Sequence, residues 1–513
     1  MSSRWVIYAA YTLSGAAGLV YEVAWTRLLG LHLGSTTAAV STVLASYMGG
    51  MALGSLAGGR IVSGASPRAA LRLYAALEGA VALYAVVLPW LLGAFDPLLA
   101  AAYAGGSAGS AFSLVRVATS LLVVTPPAIC MGAAFPVATR AVLSSAARAG
   151  AEAGGLYAVN TVGAAIGALA AGFLLLPVLG LRQTTMVGVG LNVAAAGAAW
   201  WLASPQSSWQ TRTPEAGKSP GAVRTVGGAR DGRRAKARGK KVGPAFAQAT
   251  EPAVPPRPGV AGVALCISGF VGLCYEVVWT RVLVLVIGPT SYAFSAMLAA
   301  FIGGLALGSI AGSRLATRFR RPVAWLAAAM LLTMAGAASV APFVNRLPLW
   351  AAEAAAASGA SLFGIVLGQS ALVAAILLPM TLALGAMLPL GIAVATRTVE
   401  QGPRDVALLY FVNTAGAIAG SLVAGFALVP RFGLQGTVLV AATAALAGAL
   451  VVSFVALATR TRAVAFAAVA LASFVALFAG PRWDRDLLAA GAYKYAPYVA
   501  HLDLVSALKA GTL

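Results

Sequence analysis

Long apolar stretches alternate with short polar or basic breaks along almost the whole chain. They run near 5–31, 36–58, 71–95, 112–143, 153–177 and 182–203. A second series follows near 260–287, 290–315, 323–345, 360–395, 406–429 and 433–458, and one extra stretch covers 463–480. Crossing the hydrocarbon core takes roughly 20 mostly apolar residues in a helix. In that core only helices and closed barrels satisfy every backbone polar group. These stretches are rich in Ala and Leu and lack the ten-residue alternation of barrel strands, so the pattern predicts membrane-spanning helices. The fourth and tenth are overlong and carry Pro126, Pro127 and Pro136, or Pro379 and Pro389. Each reads either as a kinked helix or as a broken pair. The first stretch is too long for a signal peptide and recurs in the middle of the chain, so it reads as a retained span.

That recurrence is an internal duplication. SGAAGLVYEVAWTRLLGLHLGSTTAAVSTVLASYMGGMALGSLAGGR (14–60) and SGFVGLCYEVVWTRVLVLVIGPTSYAFSAMLAAFIGGLALGSIAGSR (268–314) share 27 of 47 positions without a gap. LYAVNTVGAAIGALAAGFLLLPVLGL (156–181) likewise matches LYFVNTAGAIAGSLVAGFALVPRFGL (409–434). Hydrophobic bias alone does not place Tyr-Glu, Trp-Thr-Arg, Asn-Thr-x-Gly and Pro-x-x-Gly-Leu in register twice. Six spans per copy is an even number, so the copies share one orientation, the parallel arrangement of major-facilitator halves. The expected fold is all-α and integral to the membrane: two tandem six-helix repeats, about 12 spans, plus one extra C-terminal helix.

Charge sets the orientation. Arg60, Arg68, Arg72, Arg140 and Arg148 follow even-numbered spans of the first copy. Arg314, Arg318, Arg320, Arg321, Arg397, Arg404, Arg460 and Arg462 do so in the second. Basic residues concentrate in cytoplasmic loops, so the N-terminus is expected inside, at the bacterial inner membrane. The divisions are then 1–203 for the first half, 204–259 for a linker and 260–458 for the second half. An extra helix at 459–480 and a polar tail at 481–513 complete the chain. The linker holds 11 basic and 3 acidic residues, a composition that predicts a disordered cytoplasmic segment touching anionic headgroups rather than nucleic acid.

Overall composition agrees: 60% apolar, 10% charged, net charge +21. A soluble chain carries about 25% charged residues. Cys130, Cys266 and Cys274 lie within spans without a CxxC, and His32 and His501 stand alone, so no metal site or disulfide framework is indicated.

Ionisable groups within spans are costly and mark function by default. Glu22 and Glu276 occupy equivalent places, each five residues before Arg27 or Arg281. Two readings stay open: carboxylates for a cationic substrate or proton, and ion pairs that fix the bundles. Trp25 and Trp279 suit interfacial anchors. Glu78 and Arg116 have no charged counterparts in the second copy and read either as pathway groups or as a pair. Asn160 and Asn413 read as helix-packing amides. Gly50, Gly54 and Gly58, repeated as Gly304, Gly308 and Gly312, allow close helix approach. With the basic residues that follow, each stripe is a weak form of the major-facilitator loop between helices two and three, without its acidic residue.

At SGxxGLxYEVxWTRxL, STVLASYMGGMALGS, LYAVNTVGAAIGALAAGF and WDRDLLAAGAYKYAP (483–497) the chain resembles the membrane portion of fused transporter/spermidine-synthase-like bacterial proteins. The resemblance spans nearly everything but the linker. It implies small cationic amines as solutes and an aminopropyltransferase-like domain or protein as partner. Such a domain would bind decarboxylated S-adenosylmethionine; no strand, nucleotide loop or paired acidic motif follows the last span here. No catalytic residue and no cofactor are therefore assigned to this chain. Two function classes follow: a transporter-like protein for polyamine-type cations, and a membrane anchor for the synthase-like enzyme. A reporter fused at residue 230 is expected to report a cytoplasmic location; a periplasmic signal would overturn the parallel two-half arrangement.

Overall fold

The computed structural model describes residues 3–33, 37–103, 110–205, 255–288, 291–319, 321–357, 362–456 and 460–489. Most of the basic linker and the end of the polar tail, with His501, lie outside these residues. All regular structure among the described residues is helical. The first half comprises α1 (Ser3–Leu33), α2 (Thr37–Val62), α3 (Pro67–Tyr103), α4 (Ser110–Val142), α5 (Ala149–Ala170) and α6 (Leu176–Leu202). The second comprises α7 (Pro258–Ile287), α8 (Ser291–Arg318), α9 (Pro322–Val340), α10 (Leu347–Ala357), α11 (Leu362–Ala395), α12 (Gly402–Val423) and α13 (Val429–Ala456). Then come α14 (Arg460–Phe478) and the short α15 (Arg485–Ala489).

Nine helical stretches among the described residues are long and apolar enough to cross a membrane, and two of these, Ala146–Leu202 and Gly402–Phe454, span 57 and 53 residues. At 1.5 Å per residue each would measure about 80 Å or more, far beyond a hydrocarbon core of about 30 Å. Both are broken, at Gly180 (φ 72°) inside the predicted gap 178–181 and at Gly433 (φ 70°) one residue past the predicted gap 430–432. Positive φ strains any residue with a β-carbon. Pro177 and Pro430, three residues earlier, lack the N–H that a continuing ladder needs, and each follows a wide π turn, Ala171–Leu175 or Ala424–Leu428. The prolines of α4 and α11, in contrast, sit inside single continuous helices, so the broken-pair reading does not hold. One element is new: after α9 a 3-10 turn, Ala341–Arg346, leads into α10.

Apolar side chains gain nothing by leaving lipid for another apolar helix, so tight backbone packing has to hold such a bundle. The duplicated glycines supply it. A β-carbon at Gly15 would overlap the Asn160 carbonyl of α5, and one at Gly269 the Asn413 carbonyl of α12. Gly54 abuts the Ile129 carbonyl of α4 as Gly308 abuts the Leu382 carbonyl of α11. The α1/α5 and α2/α4 seams are thus rebuilt in the second half as α7/α12 and α8/α11.

The two halves meet along α2/α12 and α5/α8. The Ser55 hydroxyl of α2 donates to the Ala407 carbonyl of α12 at 2.9 Å. Its repeat equivalent, Ser309 of α8, donates to the Gly154 carbonyl of α5 at 3.1 Å. Both serines are fully buried.

Loop contacts fix the ends. Arg140 donates to the Ala65 carbonyl at 2.9 Å, Arg4 approaches Glu152 at 3.7 Å, and the Arg257 amide donates to Val394. These join the N-terminus, the α2–α3 and α4–α5 loops, the start of α7 and the end of α11 at one basic end. After α14 the chain returns at the opposite end. There Asn345 donates to the Arg482 carbonyl, Gln435 to that of Pro481, and the Trp483 indole to that of Ala341.

Adding a side chain at a seam differs from adding one in open space. Gly15→Val is expected to abolish monodisperse folded protein. Gly18→Val, one turn on, where a β-carbon meets nothing within 4 Å, is expected to leave it intact by size-exclusion chromatography and thermal unfolding.

Candidate functional site

Glu22 and Glu276 come from different halves, yet stand within electrostatic reach of one another. Each is half-buried. Among the described residues neither carboxylate enters a salt bridge or a side-chain hydrogen bond. The ion pair with Arg27 or Arg281 does not form, for a reason of helix geometry. Five residues advance the helix by about 140° around its axis, so each arginine points away, and both are exposed. One turn below the carboxylates, Gly18 and Gly272 face open space: a β-carbon at either would meet nothing within 4 Å. The same faces of α1 and α7 therefore carry a carboxylate and an unfilled notch. Tyr47 of α2 lies within electrostatic reach of Glu22 and of Tyr410 from α12.

Below this level the halves close. Tyr11 is eleven residues, about 16 Å, nearer the basic end than Glu22. Its ring lies 6.4 Å from Phe135, which lies 6.0 Å from Tyr157 and 5.4 Å from Tyr410 of the other half. The two serine–carbonyl bonds lie in the same basic-end region, and Gly150 packs on Pro389 and Ala393 while Gly402 packs on Leu143. The arrangement is closed at the basic end.

Glu78 is buried at mid-height in α3, inside the first half alone. Its two oxygens accept from Ser14 of α1 at 2.6 Å and from the Asn192 amide of α6. Arg116, buried in α4, begins from the far end of its helix, about 20 Å higher by residue count. The positions equivalent to Ser14, Glu78 and Asn192 are Ser268, Thr333 and Ala445; only the first copy assembles the cluster. Asn160 donates across to the Tyr11 carbonyl of α1 at 3.0 Å, close to the Gly15 contact. Asn413 places its own carbonyl against Gly269 in the equivalent seam.

Trp25 and Trp279 are 4% and 1% exposed, so they are core residues and not interfacial anchors. Trp25 stacks on Tyr21 at 4.9 Å, and Trp279 meets Trp483 at 6.1 Å. A sequence reading also passes over Glu152 and Asp405, a duplicated pair in the first turn of α5 and α12. Glu152 accepts from the Ser144 amide at 2.7 Å and hydroxyl at 2.5 Å. Asp405 accepts from the Arg397 amide at 3.2 Å and guanidinium at 2.8 Å. That hydrogen bond and the carboxylate's charge raise the Arg397 pKa above its ordinary value. Carboxylates are favoured at helix N-termini, and these two tie the preceding loops to the helices that line the interface. Among the described residues no group of acidic, His and Cys side chains is arranged to hold a metal.

No protein-family model matches the sequence. No curated protein matches it. Solved structures do. The human organic anion transporter MFSD10 (TETRAN) superposes with a TM-score of 0.51 at 13% identity, covering 88% of this chain and 100% of that one. A bacterial homologue of the iron transporter ferroportin, in an outward-facing state, gives 0.53 at 11% identity over 88% and 98%. The major facilitator superfamily transporter FucP, in the outward conformation, gives 0.52 at 13% over 88% and 97%. The chain has the major-facilitator transporter fold. At these identities the likeness carries the fold alone.

The Glu78 cluster makes a local prediction. Glu78→Leu leaves the Ser14 hydroxyl and Asn192 amide without their acceptor, a loss of about 1–3 kcal/mol for buried groups. A lower unfolding temperature is expected, partly restored in the Glu78→Leu, Asn192→Leu double variant.

Proposed function

We propose that this chain is a membrane transporter for a cationic solute of the diamine or polyamine type, held between Glu22 and Glu276. The observation that carries this reading is the carboxylate pair itself. Two pseudo-symmetric carboxylates, one from each half, share the interface, and among the described residues neither forms a salt bridge with a cationic side chain. Carboxylates placed so within the membrane are expensive, and a ligand bearing two separated positive charges offsets that cost on both sides at once. A cation held this way links the halves, so binding and release couple to their relative rocking, as in parallel-repeat transporters. The notches at Gly18 and Gly272 leave room for an alkyl chain beneath the charges, and the aromatic closure below bars the route while the basic end is sealed.

The resemblance at the Tyr-Glu-Val-x-Trp-Thr-Arg motifs supports the choice of amines. The membrane-anchor reading gains no comparable support. The segment that would lead into an appended domain, 481–489, docks at the end away from the basic loops.

Uptake by purified chain in vesicles, with putrescine, spermidine and an uncharged polyol of similar length, tests the proposal. Saturable amine uptake is expected, falling at least tenfold in Glu22→Gln or Glu276→Gln while the protein stays folded. Gly18→Leu with Gly272→Leu is expected to block uptake by filling the notches without loss of folded protein. Amine uptake indifferent to both glutamates, or uptake of the polyol alone, would sink the reading.

A further inference from the structure

The outer flank of the first half carries a groove of about 670 Å³ between α3 and α6, almost wholly apolar. Small residues floor it, among them Ala76, Gly79 and Gly197, and Leu83, Val193 and Trp200 form its walls. Leu83 is 67% and Trp200 63% exposed. Any bilayer-facing groove could hold acyl chains, but the duplication says more here. The repeat equivalents of α3 and α6 are α9 and α13, and the surface they form is covered by α14. Aligned on the first-turn prolines Pro67 and Pro322, Ala76 corresponds to Leu331 and Leu83 to Ala338, each 4% exposed. α14 turns Ala470, Ser473 and Leu477 inward and leaves Val464, Leu471 and Val475 exposed. One chain thus shows the same site twice, once covered by a transmembrane helix and once bare.

We propose that the α3/α6 groove is a docking site for a single apolar transmembrane helix of a partner protein, taking the place that α14 holds on the second half. Small residues in the floor let backbones approach closely, which is what drives helix association in lipid. The bare floor is lined by smaller side chains than its counterpart, where Met330, Leu331 and Met334 stand against Ala75, Ala76 and Gly79. It therefore suits a helix with a bulkier ridge. A second copy of this chain fits poorly as occupant. The groove and α14 lie on the outermost helices of opposite halves, so α14 entering a neighbour's groove is a head-to-tail contact that does not close into a dimer.

The test uses the full chain in phosphatidylcholine vesicles with photoreactive p-benzoylphenylalanine replacing Leu83, and as probe a peptide of residues 460–480 carrying Ala470→Leu and Ser473→Leu, which gives the inward face of α14 a bulkier ridge. A one-to-one adduct is expected that saturates with peptide density. Gly79→Phe with Gly197→Leu fills the groove at two places where a β-carbon meets nothing within 4 Å. The adduct should then fall at least tenfold while the protein remains monodisperse. Adducts with lipid only, or peptide adducts that rise linearly and ignore the filling, would overturn the proposal. An adduct between two copies of the chain without peptide would overturn it as well, by making the groove a self-association surface.

Discussion

Contact between one helix backbone and the next, at glycine, is the constraint on which this architecture rests. In lipid the hydrophobic effect does not drive helices together, so association depends on close fit and on hydrogen bonds that cross between helices. Gly15, Gly54, Gly269 and Gly308 each place a neighbouring carbonyl where a side chain would otherwise stand. The same close approach brings hydroxyl and amide donors within reach of carbonyls that already serve their own helices. Asn160 reaches the Tyr11 carbonyl beside the Gly15 contact, and Ser55 reaches Ala407 next to Gly59. Packing and polar contacts are therefore placed by one feature, and the serine contact repeats in the second half at Ser309.

Because each seam inside a half interlocks backbone with backbone, each half behaves as a solid piece. The contacts between the halves add side-chain contacts to a few such approaches, as at Gly150 against Pro389. Two serine hydroxyls, an aromatic group centred on Phe135 and a few small-residue contacts hold the basic end, and all are reversible without unfolding a helix. Interhelical hydrogen bonds of this sort contribute about 1 kcal/mol each in membranes, so they hold the halves together only weakly. Glu22 and Glu276 sit about 16 Å above the aromatic group by residue count. On the proposed reading, a ligand between them lies above the closed region and touches both pieces.

The legible part of this fold is the part encoded by periodicity, breaks and repetition. Spans, the duplication and the extra helix all follow from apolar length and self-similarity. Even the breaks at Gly180 and Gly433 could be read, because Pro-x-x-Gly-Leu supplies both a missing donor and a residue that tolerates positive φ. α10 escaped because its eleven residues are too few for a span and fall in the gap between the stretches 323–345 and 360–395. The tryptophans of the duplicated motif were misplaced for a different reason. Indole rings suit an interface and a bundle core equally, and only the turn of the helix against α6, or against the returning Trp483, decides between them. Partners for Glu78 lie 64 and 114 residues away, beyond any local pattern. Glu152 and Asp405 left a usable signal, an acid at one repeat position in the first turn of both copies. Their importance emerges only when the loops fold back onto them.

Where the copies diverge, each has solved one packing problem differently. The first half keeps a buried carboxylate at Glu78, and placing a charged side chain at mid-membrane costs about 2.5–3.5 kcal/mol on insertion scales. It offsets that cost with donors from two other helices, so the cluster ties α1, α3 and α6 at one height. The second half has Thr333 and Ala445 at two of those positions, and it fills the surrounding space with Met330 and Met334 beneath a further helix. A polar clasp within the first half thus corresponds to an apolar cover over the second. The clasp works from inside and leaves the outer surface of α3 and α6 bare; the cover works from outside and occupies the surface of α9 and α13. Two halves that began alike now present one finished flank and one open flank to the bilayer.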